Sequence, residues 1–283
     1  MILADDQHLL ALSTMENQVA PDRTPPPAGW PRWPSFPGCL ALLVASTLSV
    51  WPLLVSGPLP DGSEASRTLL FARGFVDAIG EGVFFPRWID DANDAMGAPV
   101  FEVHPPLAYY AVAVVQLVTG ELIEAIRWTV VLAALLACLL AFLAARTVTS
   151  EPASVVAGAL YVLLPSRMIE LYGRFSLVDL IALTWLPLVW LFARMVVVDG
   201  SPRARLGLVV SLTASIAIQP LVALVTALAA VPCVLSLALE LRRPRSLLTM
   251  LACCGASLLC AAAYLVPLAL EQGELRHEPT VQA

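Results

Sequence analysis

The sequence predicts an all-α, polytopic membrane protein, a transmembrane bundle of about seven or eight hydrophobic helices. Hydrophobic residues make up 59% of its 283 residues and charged residues only 13%, against about 45–50% and about 25% in soluble domains. Apolar runs of about 20 residues recur along the chain, and a helix needs about that length to cross a bilayer. Because only a helix satisfies its own backbone polar groups in lipid, these runs are predicted to be helical.

The amino-terminal part divides into a leader, a first span and a long polar loop. Residues 1–37 are polar and rich in proline, which predicts a disordered cytoplasmic leader. The first apolar run, residues 38–57, begins too late and is too long for a cleaved signal peptide, so it is predicted to be a retained span. The outer loop follows at residues 58–104. Apolar residues at helical spacing from Leu69 to Ile79 predict a short amphipathic helix on the membrane surface there.

The remaining helices follow at short intervals. A helix opened by two prolines covers residues 105–119 and is short for a full span. The other predicted helices cover residues 123–145, 153–164, 177–197, 206–218, 221–239 and 247–270. These bounds give a transmembrane domain of residues 38–270 and a polar carboxyl-terminal tail of residues 271–283.

Arginine placement predicts which loops face the cytoplasm, since short cytoplasmic loops are enriched in Lys and Arg. All 16 basic residues are arginines, and six of them lie in two loops, residues 194–205 and 242–245, with two helices between the loops. Both loops are predicted to be cytoplasmic, with the outer loop and residues 165–176 outside. This count requires the helix at residues 105–119 to dip in without a net crossing, which is the preferred interpretation. The predicted location is the inner, cytoplasmic membrane, as a multi-pass protein.

The charge pattern argues against a nucleic-acid-binding protein, and the cysteine pattern argues against a fold held by disulfides. The formal net charge of -6 is spread over the loops without a basic run, so no nucleic-acid partner is predicted. The six cysteines lie in or beside apolar spans, where cysteine behaves as a small hydrophobe. No cofactor is predicted with certainty. A divalent cation held by Asp90 and Asp91 is left open, beside the interpretation that both carboxylates only cap and solvate the loop.

Two segments are too polar to be simple connectors, namely the outer loop and residues 167–179. Their candidate site residues are Glu64, Arg87, Trp88, His104, Tyr172, Arg174 and Asp179. All of them except Tyr172 have a structural alternative. Arg87 and Trp88 are typical anchors at the headgroup level, and Glu64 is otherwise an exposed surface carboxylate. His104 suits a helix start, and Arg174 with Asp179 suits a structural ion pair.

Several motifs resemble those of a known family. They are an amphipathic helix ending in Glu-Gly, then Phe-Pro-Arg-Trp, Gly-Ala-Pro-Val-Phe, Pro-Pro-Leu-Ala-Tyr-Tyr, and later Leu-Tyr-Gly-Arg before an acidic residue. In these motifs the chain resembles the bacterial membrane proteins called 6-pyruvoyl-tetrahydropterin synthase-related, which are similar to YfhO-like proteins and to glycosyltransferases of the GT-C fold. The resemblance runs from Trp51 to Gln272 and is strongest between Gly82 and Tyr110. It implies no pterin chemistry.

The resemblance implies a GT-C-like amino-terminal module and a glycosyltransferase that uses a polyprenyl-phosphate-linked sugar at the outer face of the membrane. Its implied partners are membrane lipid and that sugar donor, with a membrane protein partner left open. It implies Glu64 and Asp179 as catalytic residues. Its implied substrate-binding residues are Arg87, Trp88, His104, Tyr172 and Arg174. These residue types suit the chemistry, since a carboxylate can deprotonate an acceptor hydroxyl and Arg can hold a phosphate by two hydrogen bonds.

Four positions depart from the family pattern. Glu64 stands where relatives usually carry Asp, and Asp179 where they often carry Glu. Thr68 and Gln219 each replace a frequent His, and the chain stops before the further spans and outer domain that are typical of relatives. These departures favour the alternative of a non-catalytic membrane subunit or a degenerate paralogue. A secondary transporter is a third hypothesis, disfavoured because the spans hold few polar groups and no inverted repeat is evident.

Overall fold

The computed structural model describes residues 30–55, 57–92 and 96–275, and the described part is helical. It has no strand there, apart from an isolated antiparallel bridge between Ile89 and Ala98. The helices are α1 Phe36–Val55, α2 Ala65–Gly80, α3 Val100–Val103, α4 Leu107–Thr119, α5 Leu122–Arg146, α6 Glu151–Val162, α7 Pro165–Met168, a π-helical turn Ile169–Arg174, α8 Leu177–Val198, α9 Pro202–Ile218, α10 Pro220–Glu240 and α11 Arg245–Leu275. The predicted all-α bundle is confirmed.

The two chain ends fall partly outside this description. The predicted disordered leader lies mostly on residues 1–29, and the end of the predicted polar tail on residues 276–283, which are outside the described residues. Helix α11 runs to Leu275, so helix extends into the segment predicted as tail.

Six helical segments of the described chain are long and apolar enough to cross a membrane. They are Phe36–Val55, Leu122–Arg146, Glu151–Arg174, Leu177–Val198, Pro220–Glu240 and Arg245–Leu270. The third of them combines α6, α7 and the π-turn, so residues 165–174, predicted as an outer segment, continue a span as helix. Pro165 permits this because it stands in the first turn of α7, where a missing N–H costs little.

Helix α9 also runs the length of the bundle. It is not counted among the six because it has 17 residues and a candidate span needs at least 18. At its end, the Gln219 side chain donates to Asp179 at the start of α8, 3.1 Å away. At its start, Arg205 donates to the carbonyl of Gly200, just beyond the end of α8, at 2.8 Å. Helix α9 therefore returns along α8 from one end to the other.

Contacts between helix ends give the bundle two defined ends. The Ser35 N–H donates to Glu151 at 2.8 Å, which joins the start of α1 to the start of α6. The Arg127 guanidinium donates to the carbonyl of Gly57, which joins the end of α1 to the start of α5. We call the end with Ser35 and Glu151 the inner end, and the end with Gly57 and Arg127 the outer end.

The chain between Gly57 and Glu121 leaves and re-enters the bundle at the outer end. Helix α4 lies within this segment, so it makes no net crossing, in agreement with the preferred dipping interpretation. Eight arginines lie on inner-end segments, namely Arg32, Arg146, Arg194, Arg203, Arg205, Arg242, Arg243 and Arg245. This excess of arginine is typical of a cytoplasmic face.

The amphipathic helix α2 is packed on protein rather than laid on lipid. Phe71 and Phe75 are buried on its apolar face. The Phe75 ring lies edge-on to Phe101 of α3, with ring centroids 5.1 Å apart, and both α2 phenylalanines contact Tyr109 of α4. The exposed face carries Arg73, which pairs with an acidic residue one turn later. The sequence pattern thus predicts the helix but not what covers it.

A glycine lets three spans approach closely. A Cβ atom at Gly158 of α6 would lie 2.7 Å from the carbonyl oxygen of Cys138 on α5 and 2.9 Å from Leu42 on α1. Both distances are shorter than atomic contact permits, so only glycine fits there. Small residues at helix contacts are typical of membrane bundles, where tight packing replaces the hydrophobic effect between helices.

Candidate functional site

The outer end of the bundle is shaped by an unusual turn between two spans. The helix of the third span loosens into the π-turn Ile169–Arg174, and Phe175 then takes a left-handed conformation with φ 56°. An aromatic residue at positive φ is strained, and the buried Phe175 ring holds it in place. Ser176 then starts α8, its hydroxyl accepting from the Asp179 N–H at 3.5 Å. Such π-turns and strained residues are frequent at functional sites.

The loop before α2 docks onto this turn through backbone hydrogen bonds. The Glu64 N–H donates to the Arg174 carbonyl at 2.7 Å, and the Thr68 hydroxyl donates to the Phe175 carbonyl at 3.0 Å. Gly62 lies directly against the backbone of the turn, since a Cβ at this position would be 2.4 Å from the Arg174 carbonyl oxygen. The two polar segments singled out in the sequence therefore meet, although they are far apart along the chain.

Five charged side chains gather where these segments meet, and we call them the outer cluster. They are Glu64, Arg67, Glu170, Arg174 and Asp179. Arg174 is central: its guanidinium lies 2.9 Å from Glu170, 3.5 Å from Asp179 and 3.8 Å from Glu64. Arg67 pairs with the other oxygen of Glu64 at 2.6 Å. Three carboxylates thus surround two guanidinium groups, and the cluster is net negative.

The cluster is open to the exterior on one side. The side chains of Arg67 and Arg174 are 47% and 43% exposed, whereas those of Glu64, Glu170 and Asp179 are about half as exposed or less. The carboxylates are therefore partly shielded from water, which strengthens their interactions with a bound group. The arginine side chains reach further outward than the carboxylates.

Asp179 is held in a fixed orientation. Its Oδ2 accepts from the Ser176 hydroxyl at 2.8 Å, and its Oδ1 accepts from the Gln219 amide at 3.1 Å. Gln219 stands between α9 and α10, so it ties a third part of the bundle to the cluster. A carboxylate fixed from both oxygens presents its remaining lone pairs in one direction, as a binding site for hydroxyl groups requires.

His104 lies beside the cluster, with its ring 5.2 Å from that of Phe71. Burial lowers the pKa of His104 below its usual value, and the positive charge of Arg67 lowers it further. The imidazole is therefore neutral at pH 7, able to donate from one nitrogen and accept at the other. The buried Tyr109 side chain interacts electrostatically with Arg67, Glu64 and Asp179, so it also borders the cluster.

Three predicted site residues are placed differently. The Arg87 guanidinium lies over the Phe85 ring at 5.6 Å, and Trp88 packs against Gly97, where a Cβ would be 2.3 Å from the indole nitrogen. Both side chains are exposed, as interfacial anchors would be. The Tyr172 hydroxyl already donates to the Ser49 carbonyl of α1 at 2.8 Å. The structure gives these three residues local packing partners, and their predicted substrate contacts stay predictions.

The predicted cation site at Asp90 and Asp91 also stays a prediction. Both residues are exposed and follow the short bridge at Ile89. Among the described residues no three His, Cys, Asp or Glu side chains are grouped as metal ligands. The neighbouring residues 93–95 lie outside the description.

Comparison with known proteins defines the family. The model of the 6-pyruvoyl-tetrahydropterin synthase related domain, a membrane protein family, matches residues 101–280. The chain belongs to this family. No significant match was found among curated proteins or among solved structures. The matched region includes Arg174, Asp179 and Gln219, whereas Glu64 and the docking loop precede it.

Two members of the outer cluster were missed from the sequence. Arg67 follows Glu64 by three residues, and Glu170 precedes Arg174 by four, which are the spacings at which side chains meet on one helix face. That local signal was present in both polar segments. What the spacing does not give is that the two ion pairs come together at one guanidinium.

Proposed function

We propose that this protein is a membrane glycosyltransferase of GT-C type, which uses a polyprenyl-phosphate-linked sugar at the outer face of an inner membrane. The observation that carries the proposal is that Glu64 and Asp179, from separate segments, flank the same guanidinium of Arg174 at the outer end. Membership of the membrane protein family and the arginine excess at the inner end are consistent with this placement.

In the proposed reaction the donor phosphate binds the two outward-reaching arginines. Arg174 offers N–H groups to the phosphate and gives up its longest ion pair, the 3.8 Å contact with Glu64. The Oε1 oxygen of Glu64 is then free to accept the proton of an acceptor hydroxyl, while Oε2 stays paired with Arg67. The hydroxyl oxygen attacks the anomeric carbon, the bond from that carbon to the phosphate oxygen breaks, and its electron pair leaves with the polyprenyl phosphate.

The other residues of the site have positioning roles in this proposal. Asp179, fixed by Ser176 and Gln219, accepts hydrogen bonds from sugar hydroxyls. His104, neutral at pH 7, borders the acceptor side. Arg87, Trp88 and Tyr172 line the approach of the lipid donor, and a divalent cation at Asp90 and Asp91 would add charge near its phosphate.

The test uses purified protein in proteoliposomes with radiolabelled polyprenyl-phosphate glucose, mannose and galactose as donors. We expect transfer with at least one donor, and a loss of about 10²- to 10⁴-fold in the Glu64→Gln variant, the range for removal of a general base. Asp179→Asn is expected to raise the KM of the acceptor. Asp77→Asn is the matched control, since Asp77 lies exposed on α2 and pairs only one turn away with Arg73.

Melting temperatures separate loss of chemistry from loss of structure in the same variants. A Glu64→Gln protein that melts like the parent but transfers no sugar supports the proposal. Full activity in that variant would refute Glu64 as the base.

A non-catalytic membrane subunit is the second candidate. The observation that favours it is that the oxygens of Glu64 pair with both Arg174 and Arg67, so the cluster also acts as a clamp between loop and turn. This candidate predicts that Glu64→Gln and Arg174→Met lower stability equally, that no donor is turned over, and that a membrane protein partner copurifies with the parent.

A further inference from the structure

A second polar site lies at the inner end, remote from the outer cluster. It is a cavity of about 550 Å³ between the turn from α5 to α6 and the end of α8. The segment before α1 borders it, with Trp30 held edge-on against Phe192 of α8 at 5.9 Å. The volume falls within the range of about 300–1,000 Å³ that is usual for small-molecule sites.

Two residues that line this cavity each carry a buried polar atom without a partner. The Nε donor of Arg146 and the Oδ1 acceptor of Asp199 have no hydrogen-bond partner among the described residues. Another nitrogen of Arg146 donates to the Thr149 carbonyl at 2.9 Å, so the guanidinium is held in place. Buried polar atoms are nearly always paired in native proteins, and each exception calls for a ligand or another explanation. A ligand seated beside these two residues would supply an acceptor to Arg146 and a donor to Asp199 after a small side-chain adjustment.

The charges around the cavity define it further. Arg32 and Arg194 line it together with Arg146, against the single carboxylate of Asp199. Three guanidinium groups favour a phosphate, which accepts two parallel hydrogen bonds from an arginine. The lone carboxylate favours a hydrogen-bond donor attached to that phosphate. A ligand with a phosphodiester and an ammonium or hydroxyl group satisfies both requirements.

The place of the cavity in the membrane favours a lipid as the source. It opens at the end of the spans, where lipid headgroups stand, and Trp30 and Trp33 there are exposed by 52% and 72%. Exposed tryptophans are typical of the interface between lipid and water. Basic pockets between spans at the cytoplasmic side are known to bind the headgroups of anionic phospholipids such as cardiolipin and phosphoinositides.

We propose that this inner-end cavity binds the headgroup of a phospholipid that carries a hydrogen-bond donor, either phosphatidylethanolamine or phosphatidylglycerol. The phosphodiester contacts Arg32, Arg146 and Arg194, and the ammonium or hydroxyl group donates to Asp199. Phosphatidylcholine has the same phosphodiester, but its quaternary nitrogen has no N–H. The proposal is independent of the outer cluster and of the reaction suggested for it.

The test measures lipid retention by native mass spectrometry and melting temperature of the purified full chain, after addition of each of the three lipids. We expect phosphatidylethanolamine and phosphatidylglycerol to be retained about tenfold more than phosphatidylcholine, the effect of one charge-assisted hydrogen bond. Asp199→Leu, which removes the acceptor, is expected to abolish this preference. Arg194→Gln and Arg146→Gln are each expected to lower retention of all three lipids.

The controls distinguish the sources of the phosphate. Arg203→Gln removes an exposed inner-end arginine that does not line the cavity, and it is expected to retain lipid like the parent. Glycerol phosphate and inorganic phosphate are added separately. If either stabilises the protein as much as the lipids do, or if phosphatidylcholine is retained equally by the parent, the lipid assignment is overturned. Unchanged retention in both arginine variants would overturn it as well.

Discussion

Replacement of Gly62 by alanine tests whether the contact between loop and turn assembles the outer cluster. The added Cβ would lie 2.3 Å from the Arg174 carbonyl carbon and 2.7 Å from the Phe175 nitrogen. These are backbone atoms, which cannot rotate away as a side chain would. Normal contact needs about 3.5 Å, so the loop must withdraw by about 1 Å from the turn.

That withdrawal breaks the hydrogen bonds that hold Glu64 in place. A displacement of about 1 Å takes the 2.7 Å bond from the Glu64 N–H and the 3.0 Å bond from the Thr68 hydroxyl beyond hydrogen-bond range. At about 0.5–1.5 kcal/mol each, the two bonds amount to a loss of about 1–3 kcal/mol. The 3.8 Å contact of Glu64 with Arg174 lengthens with them.

Amide hydrogen exchange of the protein in nanodiscs measures this effect at the affected backbone. A loss of about 1–3 kcal/mol raises exchange at the Glu64 amide by roughly 5- to 150-fold. Gly80→Ala is the matched control. Gly80 ends α2, the helix that follows Gly62, and a Cβ there meets nothing within 4 Å. We expect the Glu64 amide of that variant to exchange as in the parent or somewhat more slowly. The slower rate would reflect the stabilisation of about 0.4–1 kcal/mol that a Gly-to-Ala change gives at a compatible position. Equal exchange in the Gly62→Ala variant and the parent would refute the docking of loop on turn.

Three further predictions concern the Arg167–Thr184 pair, His104 and Gly158. Arg167 is 3% exposed inside a span. One guanidinium nitrogen has no hydrogen-bond partner among the described residues, another lies 3.3 Å from the Thr184 hydroxyl, and the group lies over the Tyr161 ring at 5.5 Å. Arg167→Met is expected to preserve or raise the melting temperature, because the desolvation of a buried charge costs more than one cation–π contact and one hydrogen bond return. Thr184→Val is expected to cost about 1–3 kcal/mol in the parent and less in Arg167→Met. The pKa of His104 is lowered by burial and by Arg67, so the folded state takes up its proton less readily than the unfolded chain. The melting temperature is therefore expected to fall as the pH drops below 6.5, the usual pKa of histidine. Melting at pH 7.5 and 5.5 measures the fall, which is expected to be smaller in the His104→Gln variant. Gly158→Leu is expected to lower the melting temperature by forcing three spans apart, at a cost of about 1–3 kcal/mol or more.

Each of these expectations has a contrary result. A large destabilisation in Arg167→Met would mean that the contacts of the guanidinium with Thr184 and Tyr161 outweigh its desolvation. Parallel pH profiles for the parent and His104→Gln would assign the acid sensitivity to other groups. Gly255→Leu is the control for Gly158, because a Cβ at Gly255 meets nothing within 4 Å. Equal melting of those two variants would remove the argument from close helix contact.

The membrane-spanning helices could be predicted from the sequence because their cause is local. A stretch of about 20 apolar residues must be helical in lipid whatever its neighbours are. The start of α8 at Leu177 is the predicted one, and α10 differs from its prediction by a single residue at each end. Prediction was weaker at residues 165–174, which the arginine count placed outside as a connection between spans and which the structure shows to be helical. The helix there is completed by packing against neighbouring spans, which a local pattern does not contain.

The sequence also predicted on which side of the membrane the outer loop lies. The arginine counts did not decide whether the helix at residues 105–119 crosses the membrane. The contact of Arg127 with the Gly57 carbonyl decides it, because the two ends of that segment meet. A contact between residues so far apart in the chain is a property of the fold and not of either segment.

By itself, then, the sequence determined that this chain is a helical membrane protein, where its spans lie and which two segments carry its polar chemistry. The tertiary structure decided that those segments meet at Arg174, that Arg67 and Glu170 join them, and that Arg87 and Trp88 pack elsewhere. It also revealed the inner-end cavity beside Arg146 and Asp199. The physical reason is the range of the forces: insertion into lipid depends on about 20 neighbouring residues, whereas a site depends on side chains that only folding brings within a few ångströms.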